Sequence, residues 1–291
     1  KNSLFSITDS FDIAKKCSLY LNEEKFAYVG RKIIVHILNQ WENIPIETHE
    51  MWTDLIESAG FYPYLEKERK KLKLNNLSAE LRKELHSSEN IINDKEIYFH
   101  EEQKILKEIL QKNKNLIVSA PTSFGKSLLI EEIVASNKYK NIVVIQPTLA
   151  LLDETRKKLK KYKSNYKVIV RTSQEPSKEK SNLFLLTSER VLEYKKFPII
   201  DFVIIDEFYK LSTARDDERA EHLNNAFYQL LKKFNPQFYL LGPNIKDISN
   251  GFKEKYNAVF FKTNYSLIDN QVIDIYSPNK VTFDKTSHHA K

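Results

Sequence analysis

Residues 116–127 constrain the fold more than any other stretch of the chain. The apolar run Leu116-Ile117-Val118 passes through Ser119 into Ala120-Pro121-Thr122-Ser123-Phe124-Gly125-Lys126-Ser127, and an apolar, helix-forming segment follows. This is a strand, a loop and a helix around the spacing G-x-x-x-x-G-K-S/T, with Ala120 at the first glycine position. A loop of this kind turns successive backbone N–H groups toward a phosphate at a helix N-terminus. Thr122, Ser123, Phe124 and Gly125 would form the cradle, Lys126 would neutralise the β and γ phosphates, and Ser127 would ligate Mg²⁺. An ordinary exposed lysine after a glycine turn leaves the flanking strand and helix unexplained.

From residue 98 onward, short apolar runs alternate with amphipathic segments. Strands are expected at 116–118, 142–145, 168–170, 183–186, 202–205, 238–241 and 259–261, and helices at 101–111, 127–137, 149–162, 188–195 and 218–233. Continuous apolar runs suit strands covered on both faces. The alternation argues an α/β fold with a parallel, doubly wound sheet and ligands at the C-terminal strand ends. The run Phe202-Val203-Ile204-Ile205 ends in Asp206-Glu207. Phosphoryl transfer needs one carboxylate to hold the metal and another to orient the attacking water, so Asp206 is assigned to Mg²⁺ and Glu207 to the water. Alone, the pair reads equally well as the start of a solvated loop; the phosphate loop makes it specific.

With APTSFGKS and DEFY in this order, the chain resembles the first RecA-like domain of superfamily 2 (DExD/H-type, DEAD/DEAH-box-like) helicases, a P-loop NTPase fold with a parallel sheet. The resemblance covers residues 98 to about 275. It implies an ATP site with Mg²⁺, hydrolysis to ADP and phosphate, and single-stranded or duplex nucleic acid, DNA or RNA, as partner. Gln146-Pro147-Thr148-Leu149-Ala150-Leu151 resembles the motif that grips the nucleic-acid backbone, which implies contacts at Pro147 and Thr148. Thr187-Ser188-Glu189-Arg190 resembles the second backbone-contact motif, which implies contacts at Thr187, Ser188 and Arg190. Gln103, in Phe99-His100-Glu101-Glu102-Gln103, stands where the family places its adenine-reading glutamine, whose amide is both donor and acceptor. His100 reads as a surface or capping residue.

The chain departs from the family at motif III. There the usual Ser-Ala-Thr, which couples hydrolysis to unwinding, is replaced by Gly242-Pro243-Asn244. Asn244 could supply one of the lost hydrogen bonds, and Gly242 has no side chain for the other. The loop and acid-pair wording also resembles helicases of bacterial phage-defence operons, of the Hachiman type, which implies an operon-encoded effector protein as a partner.

Residues 1–97 hold no such motif. Asp9 and Ser10 are placed to cap a helix through Leu21, and Phe26, Val29, Ile33, Ile34, Ile37 and Leu38 form a stripe at helical spacing. Trp52, Leu55, Ile56 and Ala59 continue it until Gly60 and Pro63, and a charged helix is expected from Glu66 to Leu85. Such stripes are core. The polar run 86–96 reads as a linker. The expected organisation is a helical accessory domain and linker at 1–97, a RecA-like domain at 98–275, and at 276–291 the start of a linker to a second RecA-like domain. With Lys1 first and Met51 the only Met, the sequence reads as a piece of a longer chain.

Charge agrees with a polyanion partner. Of 46 basic and 39 acidic residues, 14 and 16 lie in 1–97, leaving 32 and 23, a net +9, in 98–291. The run Arg156-Lys157-Lys158-Leu159-Lys160-Lys161-Tyr162-Lys163 is either a phosphate track or a solvated face, and Lys67–Lys73 reads as solvated. The lone Cys17 excludes an internal disulfide and a thiolate metal cluster. Without a secretion-signal pattern or an apolar stretch near the roughly 18–20 residues of a membrane span, the expectation is a cytoplasmic protein with no membrane partner. The competing function is an NTP-dependent regulatory or defence module that senses a partner without unwinding. A platform with a vestigial ATP site is disfavoured by the intact Lys126, Asp206 and Glu207.

Overall fold

The computed structural model describes residues 6–67, 74, 77–92, 95–121, 124–208, 218–243 and 245–263. The expectations for Thr122, Ser123, Asn244, residues 68–73 and residues 276–291 lie outside the described residues. The chain opens with the helices α1 (Ile7–Asn22), α2 (Ala27–Asn39), α3 (His49–Ser58), α4 (Tyr62–Lys67) and α5 (Leu77–Glu84). Strands β1 (Ser87–Ile92) and β2 (Lys95–Tyr98) follow, then α6 (Glu101–Gln111), β3 (Asn115–Ser119), α7 (Lys126–Ala135), β4 (Asn141–Ile145) and α8 (Leu149–Leu159). The remainder is β5 (Tyr166–Ile169), β6 (Ser181–Leu186), α9 (Ser188–Glu193), β7 (Phe202–Asp206), α10 (Glu218–Phe234), β8 (Gln237–Gly242), α11 (Asn250–Lys255) and β9 (Ala258–Lys262). Among the described residues no helix is long and apolar enough to cross a membrane.

Seven strands form one sheet in the order β5-β6-β4-β7-β8-β3-β9. Every pairing in it is parallel. Alternate strand residues therefore serve two cores. Leu116, Val118, Val144, Leu185, Ile204 and Tyr239 pack with Leu106 of α6, Leu129 and Ile133 of α7 and Leu152 of α8. Ile117, Val143, Phe184, Val203 and Leu240 pack with Val191 of α9 and Leu223 and Leu230 of α10. This is the helix-on-both-faces α/β architecture that continuous apolar strands require, and its parallel sheet delivers all the βα loops at one edge. The first core also takes in Cys17, Ile34, Trp52 and Phe61, so the helical N-terminal unit and the sheet share one continuous apolar cluster.

Three expectations for the N-terminal unit are corrected. The run 86–96 is not a polar linker but the antiparallel hairpin β1–β2, in which Ile91 pairs with Glu96. The cap of α1 is Ser6, whose Oγ accepts from the Asp9 N–H at 3.1 Å. Ser10 is instead buried, bonded to Thr48 Oγ1 and accepting from Trp52 Nε1. The charged helix expected at 66–85 is represented by α4, ending at Lys67, and α5, beginning at Leu77. The carboxy-terminal helix α11 has no counterpart among the expected elements.

The hairpin has a structural task that its composition hides. Helix α7 is buried over Leu129–Val134, including two acids, Glu131 and Glu132. Glu132 accepts from Ser88 Oγ at 2.5 Å, the Glu89 N–H at 2.9 Å, Asn90 Nδ2 at 3.1 Å and Lys107 Nζ at 2.7 Å. A buried carboxylate is tolerated only when paired and hydrogen-bonded, and these donors come from β1 and α6. Removing the carboxylate leaves Lys107 and three polar groups without their common acceptor. Glu132→Ala should lower the unfolding free energy by about 3 kcal/mol, in the range for breaking a buried ion pair. Urea denaturation followed by circular dichroism measures this, and a loss below about 1 kcal/mol, the scale of surface pairs, would contradict the anchoring role.

Candidate functional site

The phosphate-loop segment leaves β3 at Ser119 and re-enters regular structure at α7. Gly125 is the N-cap of α7 with φ +78°, a left-handed conformation that L side chains rarely adopt. A Cβ there would also lie 2.7 Å from Gln103 Nε2. The backbone conformation favours glycine, and a side chain there would have to displace the Gln103 amide. Phe124, just before it, is buried and donates its N–H to the Pro121 carbonyl.

Gln103 is not open to an adenine edge. It is 2% exposed, its Nε2 donates to the Phe124 carbonyl at 2.7 Å, and its Oε1 accepts from the His100 N–H at 3.0 Å. The acceptor and one donor of its amide hold the loop and the start of α6. His100 is likewise not a surface residue. It is the buried N-cap of α6, and burial holds its imidazole down to about 3. Such a ring stays neutral across the physiological range.

Lys126 opens α7 and turns its ammonium back on the loop. Its Nζ donates to the carbonyls of Ala120 at 3.1 Å and Pro121 at 2.9 Å. Burial holds the ammonium below the ordinary lysine range, against the opposing pull of Asp206 and Glu207. Burial conversely pushes the Asp206 carboxyl above the ordinary carboxylate range, opposed by hydrogen bonds from Gln146 and the Glu207 N–H. Glu207 N lies 2.9 Å from Asp206 Oδ1, and Glu207 holds φ +58°, which is costly for a non-glycine residue. Ser127 is exposed on the first turn of α7.

One cation and two acids thus meet at the ends of β3 and β7, each partly stripped of water. These residues fit a Mg²⁺-bound polyphosphate. Lys126 holds backbone carbonyls as stand-in acceptors, and the desolvated Asp206 carboxyl is set to be relieved by a cation. Gly242, at the first position of the altered motif III, offers only its backbone. It pairs with Ser119 in the sheet, and its carbonyl accepts from the Ala120 N–H at 3.1 Å. Pro243 follows it with no donor at all.

The expected nucleic-acid residues emerge on the same sheet edge from the adjacent strands β4 and β6. Thr148 is the exposed N-cap of α8, its Oγ1 accepting from the Leu151 N–H at 3.3 Å, and Pro147 is half-buried. Thr187 caps α9, while Ser188 is only 9% exposed. The hydroxyls of Thr187 and Ser188 both turn to the Glu189 carboxylate. Ser188 opens α9 as a buried residue whose hydroxyl turns to Glu189. Arg190 donates Nη1 to the Val170 carbonyl at 2.9 Å, tying α9 to the end of β5.

In the basic run, Arg156 and Lys157 pair with Asp153, Lys158 with Glu154 and Lys161 with Glu131. Most of that charge is answered within its own helix and its neighbour. Gln146 and Glu132 are the residues that the sequence reading left without a side-chain role. Their signals were a polar residue directly after the apolar run 142–145, and a pair of acids inside an apolar helix.

Fold and site together define a RecA-like P-loop domain of helicase type. Residues 100–241 match the family described as DEAD/DEAH box helicase, and residues 1–77 match the Anti-bacteriophage protein B N-terminal domain. These matches give the chain a DEAD/DEAH-box helicase domain preceded by a segment similar to the N-terminal domain of Anti-bacteriophage protein B. Anti-bacteriophage protein B of Escherichia coli strain K12 is 32% identical over 250 residues, which is 82% of this chain and 33% of that protein. The chain thus spans about a third of the length of the curated relative it matches. Among solved structures, the DUF1998 helicase MrfA bound to DNA and AMPPNP superposes with TM-score 0.44 at 14% identity, over 59% of this chain and 28% of that one. A DEAD box protein from the hyperthermophile Methanococcus jannaschii superposes with TM-score 0.43 at 17% identity, over 57% and 50%.

The raised pKa of Asp206 gives a stability prediction for the nucleotide-free protein. An acid that holds its proton more tightly when folded contributes stability that is complete below the ordinary Asp value of about 3.9 and is lost as pH rises through its raised value. Asp206→Asn removes that loss. The variant should melt at a higher temperature than the parent at neutral pH, and the difference should shrink as pH falls toward about 4. Thermal scans across pH test this, and a lower neutral-pH melting temperature for the variant would contradict the desolvated-carboxylate account.

Proposed function

We propose that this chain is the ATP-binding half of a nucleic-acid helicase or translocase acting in the cytoplasm, hydrolysing ATP to ADP and phosphate. The observation that carries the reading is the convergence of Lys126, Asp206 and Glu207 at the ends of two strands of one sheet, with the lysine and the first acid desolvated together. Lys126 takes the β and γ phosphates, Gly125 and the α7 N-terminus give them backbone N–H groups, and Ser127 and Asp206 hold Mg²⁺. When bound, the Mg²⁺ neutralises charge that develops on the phosphates. Glu207 orients the attacking water, and Gln103 and Phe124 fix the loop from behind.

Nucleic acid lies across Pro147, Thr148, Thr187 and Arg190. Contacts there are to phosphate and sugar, so they position the strand without reading its sequence. A second RecA-like domain, joined through residues 276–291, closes the other wall of the ATP cleft and brings the arginine that the known chemistry uses. Residues 1–97 form an accessory unit to the RecA-like domain at 98–275. A second reading, an NTP-dependent defence module that senses a partner such as an operon-encoded effector without unwinding, is favoured by one feature: residues 242 and 243 carry no hydroxyl for motif III coupling. Salt-dependent binding of a single strand separates the two, because each phosphate contact adds to the slope.

In the full-length protein, Lys126→Ala should weaken ATP binding at least tenfold, whereas Glu207→Gln should leave binding in place and slow hydrolysis by about 10²- to 10⁴-fold, the range for a lost general base. Equilibrium binding and steady-state turnover measure the two separately, and unchanged nucleotide affinity in the Lys126 variant would sink the assignment. Arg190→Ala should lower single-strand affinity equally for every sequence tested and flatten the salt slope by about one unit. A loss confined to particular sequences would mean that this arginine reads bases.

A further inference from the structure

Gln146 sits at the crossing of three loops. Strands β4 and β7 are neighbours with Ile145 opposite Ile205, so one residue further on Gln146 stands beside Asp206. Both side chains lie on the sheet face that packs against α7, since residues 142 and 144 of β4 and 202 and 204 of β7 belong to that core. Gln146 Nε2 donates to Asp206 Oδ2 at 3.3 Å. Its backbone N–H donates to the Leu186 carbonyl at 3.3 Å, the last residue of β6 before Thr187. Its own carbonyl carbon is bonded to Pro147, which leads into Thr148. One residue therefore touches the stem of each proposed nucleic-acid loop and the carboxylate proposed to hold Mg²⁺.

Packing alone does not explain a glutamine here. It is 3% exposed, at the end of a strand whose other five residues are buried, and its Oε1 is buried without a hydrogen-bond partner among the described residues. A leucine would fill the same volume without leaving a carbonyl unsatisfied. The single bond that the amide makes is long, so a small displacement of the 147–148 loop strengthens or breaks it.

We propose that Gln146 is a positioning residue that carries the occupancy of the nucleic-acid face to the metal-holding carboxylate of Asp206. It does so in a chain whose residues 242 and 243 offer no hydroxyl for that task. The inference rests on the functional reading above and adds the route by which its two sites communicate. Strand binding at Pro147 and Thr148 shifts the end of β4, the amide closes on Asp206, and the carboxylate is held in the orientation that would receive Mg²⁺. Reciprocity follows, because a coupling free energy acts equally in both directions: Mg²⁺ with nucleotide should tighten the strand.

The test uses the full-length protein and its Gln146→Leu and Gln146→Asn variants. Leucine keeps the volume and removes the bond; asparagine keeps an amide that is one methylene too short to reach, and serves if leucine impairs folding. ATP turnover is measured against Mg²⁺ concentration with and without a saturating oligo-dT or oligo-U strand. The expected result is that the ratio of stimulated to unstimulated turnover falls roughly tenfold, within the span of ordinary allosteric couplings. The strand should also cease to lower the Mg²⁺ concentration for half-maximal rate. A merely structural glutamine would lower both turnovers in proportion and leave the ratio intact. A parental ratio and a parental Mg²⁺ shift in either folded variant overturn the proposal. A parent that hydrolyses ATP without any response to the strand overturns the helicase reading and this inference together, and so is distinguishable from a stimulated parent whose variants respond equally.

Discussion

The passage from β3 into α7 is the constraint on which the remaining structure depends. It turns through a left-handed Gly125, with the Gln103 amide lying where a Cβ would enter. That amide also holds the Phe124 carbonyl, so α6 fixes the loop from behind while β3 fixes it from within the sheet. Helix α7 is then directed into the interior, and its acids must be answered there. The β1–β2 hairpin and Lys107 answer Glu132, and Lys161 answers Glu131. The N-terminal unit is fastened to the same place. His86 bonds Glu101, and Gly60 packs directly on the start of α6. A unit with no catalytic motif thereby becomes part of the support for the phosphate-binding helix.

Around Asp206 the molecule gives up packing and electrostatic optimum. The carboxyl is desolvated, its neighbour Glu207 holds a strained backbone, and Lys126 gives up hydration to lie on two carbonyls. Gln146 Oε1 and Tyr239 OH, the latter on the strand beside β7, are buried without partners among the described residues. Departures from good packing that cluster at one sheet edge are what a site built for a charged ligand produces, since groups arranged to meet that ligand are poorly matched to one another. The opposite core packs apolar residues of the sheet against Val191 of α9 and Leu223 and Leu230 of α10.

Much of this was legible in the sequence, for a physical reason. A parallel strand buried on both faces must be continuously apolar, so the five inner strands of the large sheet announced themselves, and the phosphate loop marked where function would lie. The hairpin was not legible. Ser88, Glu89 and Asn90 read as linker because donors on all three are answered by Glu132, 42 to 44 residues away, a partner that no local pattern can show. The Gln103 surroundings were hidden for the same reason: residue type and position suggest an exposed amide, but the tertiary contact with Phe124 buries it. Ser188 was read as a contact from its place in a motif, whereas its position in the first turn of α9 buries it. Gln146 was visible only as one letter of a motif, and its bond to Asp206 depends on the strand order, which the sequence does not state.

The central claim is that Lys126 and Asp206 are poised for a Mg²⁺-bound triphosphate, and a crystal structure of the full-length protein with Mg²⁺ and a non-hydrolysable ATP analogue tests it most directly. The account predicts that Lys126 Nζ leaves the Ala120 and Pro121 carbonyls for the β and γ phosphates, with Mg²⁺ between those phosphates and the Ser127 and Asp206 side chains. Nucleotide bound elsewhere, with Lys126 still on its two carbonyls, would contradict it.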